Sequence, residues 1–290
     1  MAQILKDTIG LCQALTADEE VAAKKHGLPV FKGVLYKVNE DSNGNPLFNK
    51  LEKINENTVV LGGAVLALQK LFGVIPNFIP KTINEIEQVN QDVSFNNEQT
   101  YIKCFGVAIG GAGMDLGSVR NPDFKQNHLI DWVPFRISDT PELPEEIAAK
   151  YYFRKQIRPN PEAQWGWFLK EFENTPIPRS YWKETPDPTA LGTEVTDEVA
   201  EVESANLIES FGECIIKIEE DDIRPYFQWA GNLQMARYNS FGLFTGVKKE
   251  IEAGYNDYVG LRLFSVVNFN NVALDMPTSA TYLYRVYAAV

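Results

Sequence analysis

Three runs in the last third of the chain restrict its fold more than any other feature. They are ECIIKI at 213–218, LRLFSVVNF at 261–269 and TYLYRVYAA at 281–289. Each is rich in β-branched and aromatic residues and is set off by Gly, Asn or Pro, the composition of strands on a pleated, half-buried surface. The last run closes the sequence, and a closing strand is expected to be tied into a sheet, its own or a neighbour's.

Strand patterns also occur earlier. Residues 31–39 (FKGVLYKVN) read as a strand, Asn43-Gly44 as a hairpin turn, and Leu47 onward as the return strand. Residues 101–109 (YIKCFGVAI) and 129–137 (LIDWVPFRI) read the same way. Helix signals lie among them. Leu5, Ile9 and Cys12 share a helical face, and Thr16-Ala-Asp-Glu19 is a capping box with Gly27 and Pro29 beyond, predicting a helix over 17–26. A buried helix is expected over 58–72. A second capping box, Thr82 to Glu85, opens another helix running to about 92. Pro141 and Pro144 suit the first turn of a helix reaching about Gln156.

The expected fold class is therefore α+β, with helices mainly in the N-terminal and middle segments and an antiparallel β-rich C-terminal part. Pro176, Pro178, Pro186 and Pro188 followed by acidic residues mark 174–204 as a linker or excursion. It separates a mixed segment at 1–173 from a β-rich segment at 205–290, and the two could also form one domain.

Composition narrows function mostly by exclusion. The net charge is −12, which repels phosphate backbones, so direct sequence-specific nucleic-acid binding is not expected. Much of that charge is local: between 194 and 222 there are eleven Asp and Glu against Lys217 as the sole Lys or Arg. The cysteines Cys12, Cys104 and Cys214 are scattered, with no C-x-x-C pair, and read as buried free thiols of a reducing compartment. Only His26 and His128 are available for histidine chemistry, which removes most triads and most zinc sites. Lys6 and Asp7 interrupt the N-terminal apolar stretch where a signal peptide would need continuity. Gln69, Lys70, Pro76 and Pro80 shorten the apolar stretch at 59–72 below a membrane span, so no membrane partner is expected.

Each tempting motif has a flaw. Gly106, Gly110, Gly111 and Gly113 follow a strand pattern, but no Gly-Lys-Ser/Thr follows them, so the phosphate-loop reading stops halfway. Asp41, Asn43, Asn45 and Glu52 match calcium-loop positions, yet Pro46 stands where the sharp turn needs Gly, and a hairpin explains the same residues. Cys104, His128 and Asp131 could be assembled into a nucleophilic set that no spacing requires. Glu219, Glu220, Asp221 and Asp222 could hold a cation or pair as catalytic carboxylates. Four consecutive side chains point in different directions on any regular element, and such a run reads first as a solvated face. Trp165, Trp167, Tyr181 and Trp182 flank the Pro-rich stretch and suit core packing or a partner contact better than stacking on a sugar or base. No catalytic, cofactor or metal residue is assigned. The candidate partner contacts are these four aromatics, Glu219 to Asp222, and Tyr284 and Tyr287 of the closing strand.

The run Ala236-Arg-Tyr-Asn-Ser-Phe-Gly-Leu-Phe-Thr-Gly246, followed by LRLFSVVNFNN and the closing YLYRVYAA, resembles virion structural proteins of tailed bacteriophages. The resemblance covers roughly 205–290. It implies a non-enzymatic role in the capsid, the tail, or the neck at the head–tail junction, without a cofactor. It also implies contacts with other virion proteins and copies of itself, and location in the virion after synthesis in the host cytoplasm. The alternative from the acidic stretch and nearby aromatics is a carbohydrate- or small-molecule-binding module, or a carboxylate-based hydrolase.

Overall fold

A computed structural model describes residues 30–58, 101–109, 132–157, 164–183, 193–194, 207–231, 233–274 and 279–289. These form two antiparallel sheets facing one another, with only two short helices, α1 at Glu145–Ala148 and α2 at Arg224–Trp229. The described fold is thus mainly β, which corrects the expectation of α+β.

The correction is clearest at 141–156. Instead of one helix, α1 ends after a single turn, and Tyr151–Gln156 forms a strand. Tyr151, Tyr152 and Phe153 are all buried. A strand paired to an apolar neighbour satisfies their backbone while burying their rings, which an exposed helix there would not do. The helices expected at 17–26 and 82–92 lie outside the described residues, as does that at 58–72 except for Thr58, which closes a strand, and as do Cys12, His26, His128, Asp131 and Gly110 to Gly113.

Sheet 1 contains β1 (Val30–Glu40), β2 (Pro46–Thr58), β8 (Pro178–Lys183), β9 (Thr193–Glu194), β10 (Leu207–Ile218) and β13 (Ala280–Ala289). Their order across the sheet is β2-β1-β13-β10-β8-β9. The closing strand β13 is central, paired to β1 on one side and β10 on the other. Sheet 2 runs β12-β11-β3-β7-β5, from β12 (Tyr255–Ala273), β11 (Arg237–Glu252), β3 (Tyr101–Ala108), β7 (Trp165–Glu171) and β5 (Arg136–Ser138). Two more strands join it: β4 (Trp132–Val133) pairs with β3 and β6 (Tyr151–Gln156) with β7. Pro134 separates β4 from β5 within the single strand expected at 129–137. Both sheets mix strands from before residue 174 and after residue 204.

The hairpin at Asn43-Gly44 forms as its turn chemistry dictates. Asp41 N donates to Asn45 O at 2.9 Å, Gly44 takes φ +79°, and the Asp41 carboxylate accepts the amides of Asn43 and Asn45, each at 2.8 Å. Those bonds lower the Asp41 pKa, the Asn45 side chain contributing most. The carboxylate considered for calcium therefore caps its own turn.

Alternation divides sheet 2 between two cores. Phe105 and Val107 of β3 face sheet 1 and join Trp167, Phe241, Leu243, Val267 and Phe269 of sheet 2. From sheet 1 come Leu35, Cys214, Ile216, Ile218, Tyr282 and Tyr284. Hydroxyl bonds cross this layer between Tyr238 and Tyr282 (2.7 Å) and between Ser265 and Tyr284 (2.5 Å). On the opposite face of sheet 2, Cys104 and Ala108 pack with Trp132, Tyr152, Phe244, Tyr258 and Val266. Trp132 lies over Gly106, where a Cβ would stand 2.7 Å from its ring. Tyr258, Leu261 and Val266 all reach this second cluster, although Leu261 lies at an odd spacing from both of the others. Register shifts opposite Leu243/Phe244 and Thr245/Val247 supply the missing parity.

Candidate functional site

The most concentrated chemistry lies where the end of β10 meets sheet 2. Arg136 on β5 and Tyr151 on β6 come from strands that each pair with β7, which carries Lys170 directly opposite Tyr151. The turn after β10 brings Glu219 and Asp222 against them. Lys170 is 1% exposed and the Asp222 side chain is fully buried.

Lys170 donates to Asp222 Oδ2 at 2.8 Å, to Lys217 O at 3.0 Å and to Glu219 Oε2 at 3.2 Å, which uses all three N–H donors of an ammonium. Asp222 also accepts Tyr151 Oη at 2.7 Å and its own turn's Glu219 amide at 2.8 Å, and Arg136 stands 3.3 Å away. Lys150 and Lys217 lie on the more exposed rim beside Glu219. Two cations and two anions thus balance in the interior of the cluster, the condition under which buried charge is tolerated.

Burial alone would raise the Glu219 carboxyl. The Lys170 ammonium, Tyr151 hydroxyl and Lys150 charge outweigh it and bring the pKa down to about 2. Burial, then the Asp222 charge, pushes the Tyr151 hydroxyl up. The group is built to keep its charges fixed. Glu219 stays ionised near neutral pH, which suits an ion-pair clasp and opposes use as a general acid.

The adjoining backbone is strained. Ile223, fully buried, has φ 67° and ψ −48°, and Arg224 N donates to Asp222 O at 2.6 Å. This is a γ-turn of the rare positive-φ type, centred on a β-branched residue. The Ile223 amide is satisfied by Phe135 O at 2.9 Å.

A second grouping lies on the outer face of sheet 1. The Tyr181 ring stacks on Phe211 at 5.1 Å, and Tyr287 meets Phe211 from the other side at 5.0 Å. Arg285 places its guanidinium 4.7 Å from the Phe211 ring centre and 5.3 Å from Tyr36, and Nε donates to Glu213 at 2.8 Å.

No family model, curated protein or solved structure matches the chain.

The structure thus separates the sequence-derived candidates. Tyr181 and Tyr287 flank Phe211 from opposite sides on the outer face of sheet 1, whereas Tyr284 lies in the inter-sheet core bonded to Ser265. Trp167 is buried in that same core. Trp165 is half-buried at the start of β7, with the Arg154 guanidinium 5.1 Å from its ring. Trp182 pairs through its backbone with Ile208. Of the acidic run, Glu219 and Asp222 turn inward while Glu220 and Asp221 face solvent. Among the described residues no group of His, Cys, Asp and Glu could hold a metal ion. Cys104 and Cys214 are buried free thiols, and burial pushes both upward in pKa. No described helix is long and apolar enough to cross a membrane.

Lys170, Tyr151, Arg136, Arg285 and Phe211 did not stand out in the sequence. One signal was present: a lone basic residue inside an apolar strand run, as in WGWFLKE and TYLYRVYAA.

Proposed function

We propose that this chain is a non-enzymatic structural component of a tailed-bacteriophage particle, acting through protein–protein contacts at or near the head–tail junction. The observation that carries the reading is a pair of hairpin ends with solvent-exposed strand segments. β11 is buried from Tyr238 to Val247 and then exposed from Lys248 to Glu252, and β2 is exposed along most of its first half. Each hairpin end leaves an apolar side chain in solvent, Ile251 at 37% and Phe48 at 42% exposure. Exposed hairpin ends with isolated apolar side chains suit docking onto a neighbour. The resemblance of 236–246, 261–271 and 282–289 to virion proteins supplies the class of neighbour. Under this reading the partners are other virion proteins and further copies of the chain, without direct sequence-specific nucleic-acid contact and without a membrane.

The test is mass spectrometry of gradient-purified particles from the phage encoding the chain, combined with light scattering of the purified protein. Incorporation into particles, reduced in Phe48→Ser and Ile251→Ser variants that fold normally, is the expected result. A chain absent from particles and monomeric at every concentration would refute the proposal.

A further inference from the structure

We propose that the turn at 219–224 is a strained latch. The Lys170–Asp222 ion pair holds it in the γ-turn, and loss of that pair lets it relax while the two sheets stay intact.

Three observations converge on this. The first is the backbone of Ile223: a β-branched residue at φ 67° sits in a conformation its own sterics disfavour, and such strain persists only where surroundings over-determine it. The second is the set of contacts that over-determines it. Asp222, the residue immediately before, is fixed by Lys170, Tyr151 and Arg136 from three strands of sheet 2 and by the Glu219 amide of its own turn. The third is the weakness of the helix next to the turn. α2 has six residues and no side-chain cap, too short to hold itself together, and its one buried residue is Phe227. By contrast β10, β11 and β13 are secured by paired ladders along most of their length. Opening is therefore confined to the turn, α2 and the 3₁₀ turn Leu233–Met235.

Release withdraws Ile223 and Phe227 from the inter-sheet core and presents them to solvent. Under the assembly reading that surface becomes available to a neighbour; the latch itself does not depend on that reading.

Asp222→Asn keeps the shape and removes the charge. Native-state hydrogen exchange followed by mass spectrometry should show residues 219–231 exchanging on the order of a hundredfold faster, the scale set by removing one partner of a buried pair. Exchange of 219–231 should be insensitive to low urea, as for a local opening, whereas exchange in β11 and β13 should rise with urea along the global unfolding slope. Exchange of 219–231 that follows the same urea slope as β11 and β13, or an unchanged turn, overturns the proposal. If Asp222→Asn does not fold, Tyr151→Phe applies the same test, with roughly tenfold faster exchange of the turn and the same insensitivity to low urea. The strain itself is read by NMR. Ile223 should give the strong intraresidue amide–Hα cross-peak of positive φ in the wild type and lose it in the variant. Its persistence in the variant would show that the ion pair does not hold the turn.

Discussion

Val286 of β13 lies between two glycines in the same row of sheet 1, Gly33 on β1 and Gly212 on β10. Their strand settings are alike, but their surroundings are not. A Cβ built on Gly33 falls onto the hydroxyl and Cζ of Tyr284, whereas one built on Gly212 meets nothing within 4 Å. Tyr284 is 0% exposed and bonded to Ser265 across the core, so it has nowhere to retreat. Gly33→Ala should therefore overpack the core, at about 1–3 kcal/mol, and break the buried Tyr284–Ser265 hydroxyl bond, at about 1–3 kcal/mol more. Replacing a strand glycine returns about 0.5–1 kcal/mol. The expected net loss is about 1–5 kcal/mol. Gly212→Ala should show only the favourable effect, a gain of about 0.5–1 kcal/mol. Urea titrations of both variants, read as midpoint shifts at constant slope, measure the contrast. In a Tyr284→Leu background the Gly33→Ala loss should fall below about 1 kcal/mol. Equal effects at the two glycines, or a Gly33→Ala variant as stable as the wild type, would refute the reasoning.

Three further outcomes are expected from the charge clusters. Lys170→Met leaves Asp222 buried with a weakened counter-charge and should destabilise by about 3–5 kcal/mol in the same titration, while Lys170→Met with Asp222→Leu should lose less than the single change. Glu219 has a depressed folded-state pKa, so its stabilising contribution is present above the unfolded value of 4.5 and is lost as pH falls toward about 2. Thermal melts between pH 6 and 2 should show a smaller acid-side loss for Glu219→Gln than for the wild type. Asp257 accepts the amides of Phe153 (2.6 Å) and Tyr258 (2.7 Å) and thereby holds Phe153 at φ 58°. Asp257→Ala should cost about 2–3 kcal/mol and raise protease sensitivity near β6.

The strands were legible where side-chain chemistry and burial agree. Residues 31–39, 101–109 and 281–289 nearly coincide with β1, β3 and β13, and the Asn43-Gly44 turn formed as its residues require. Residues 213–218 and 261–269 lie within the longer β10 and β12. The strand at 151–156 was not legible, because Pro141, Pro144 and Glu145-Glu146 form a sound helix start and nothing local says that it stops after one turn. The reason lies elsewhere in the chain: β7 offers paired backbone groups and Asp257 holds Phe153 in a conformation no helix contains. The acidic run was visible, but its division was not. Which two carboxylates turn inward depends on Lys170 and Arg136, distant in sequence.

The register shifts along β11 and β12 bear on how the chain can change in length. In a regular strand, deleting one residue sends every later side chain to the opposite face. Between Tyr258 and Val266 the two irregularities already reverse the faces twice, so that both residues reach one core. A residue lost at one irregularity can be balanced by a residue gained at the other, with only Leu261 and its neighbours re-aimed between them. Paired insertions and deletions should therefore survive within this stretch of β12 where single ones do not, and descendants of this fold could keep the same core with little common spacing of their apolar residues.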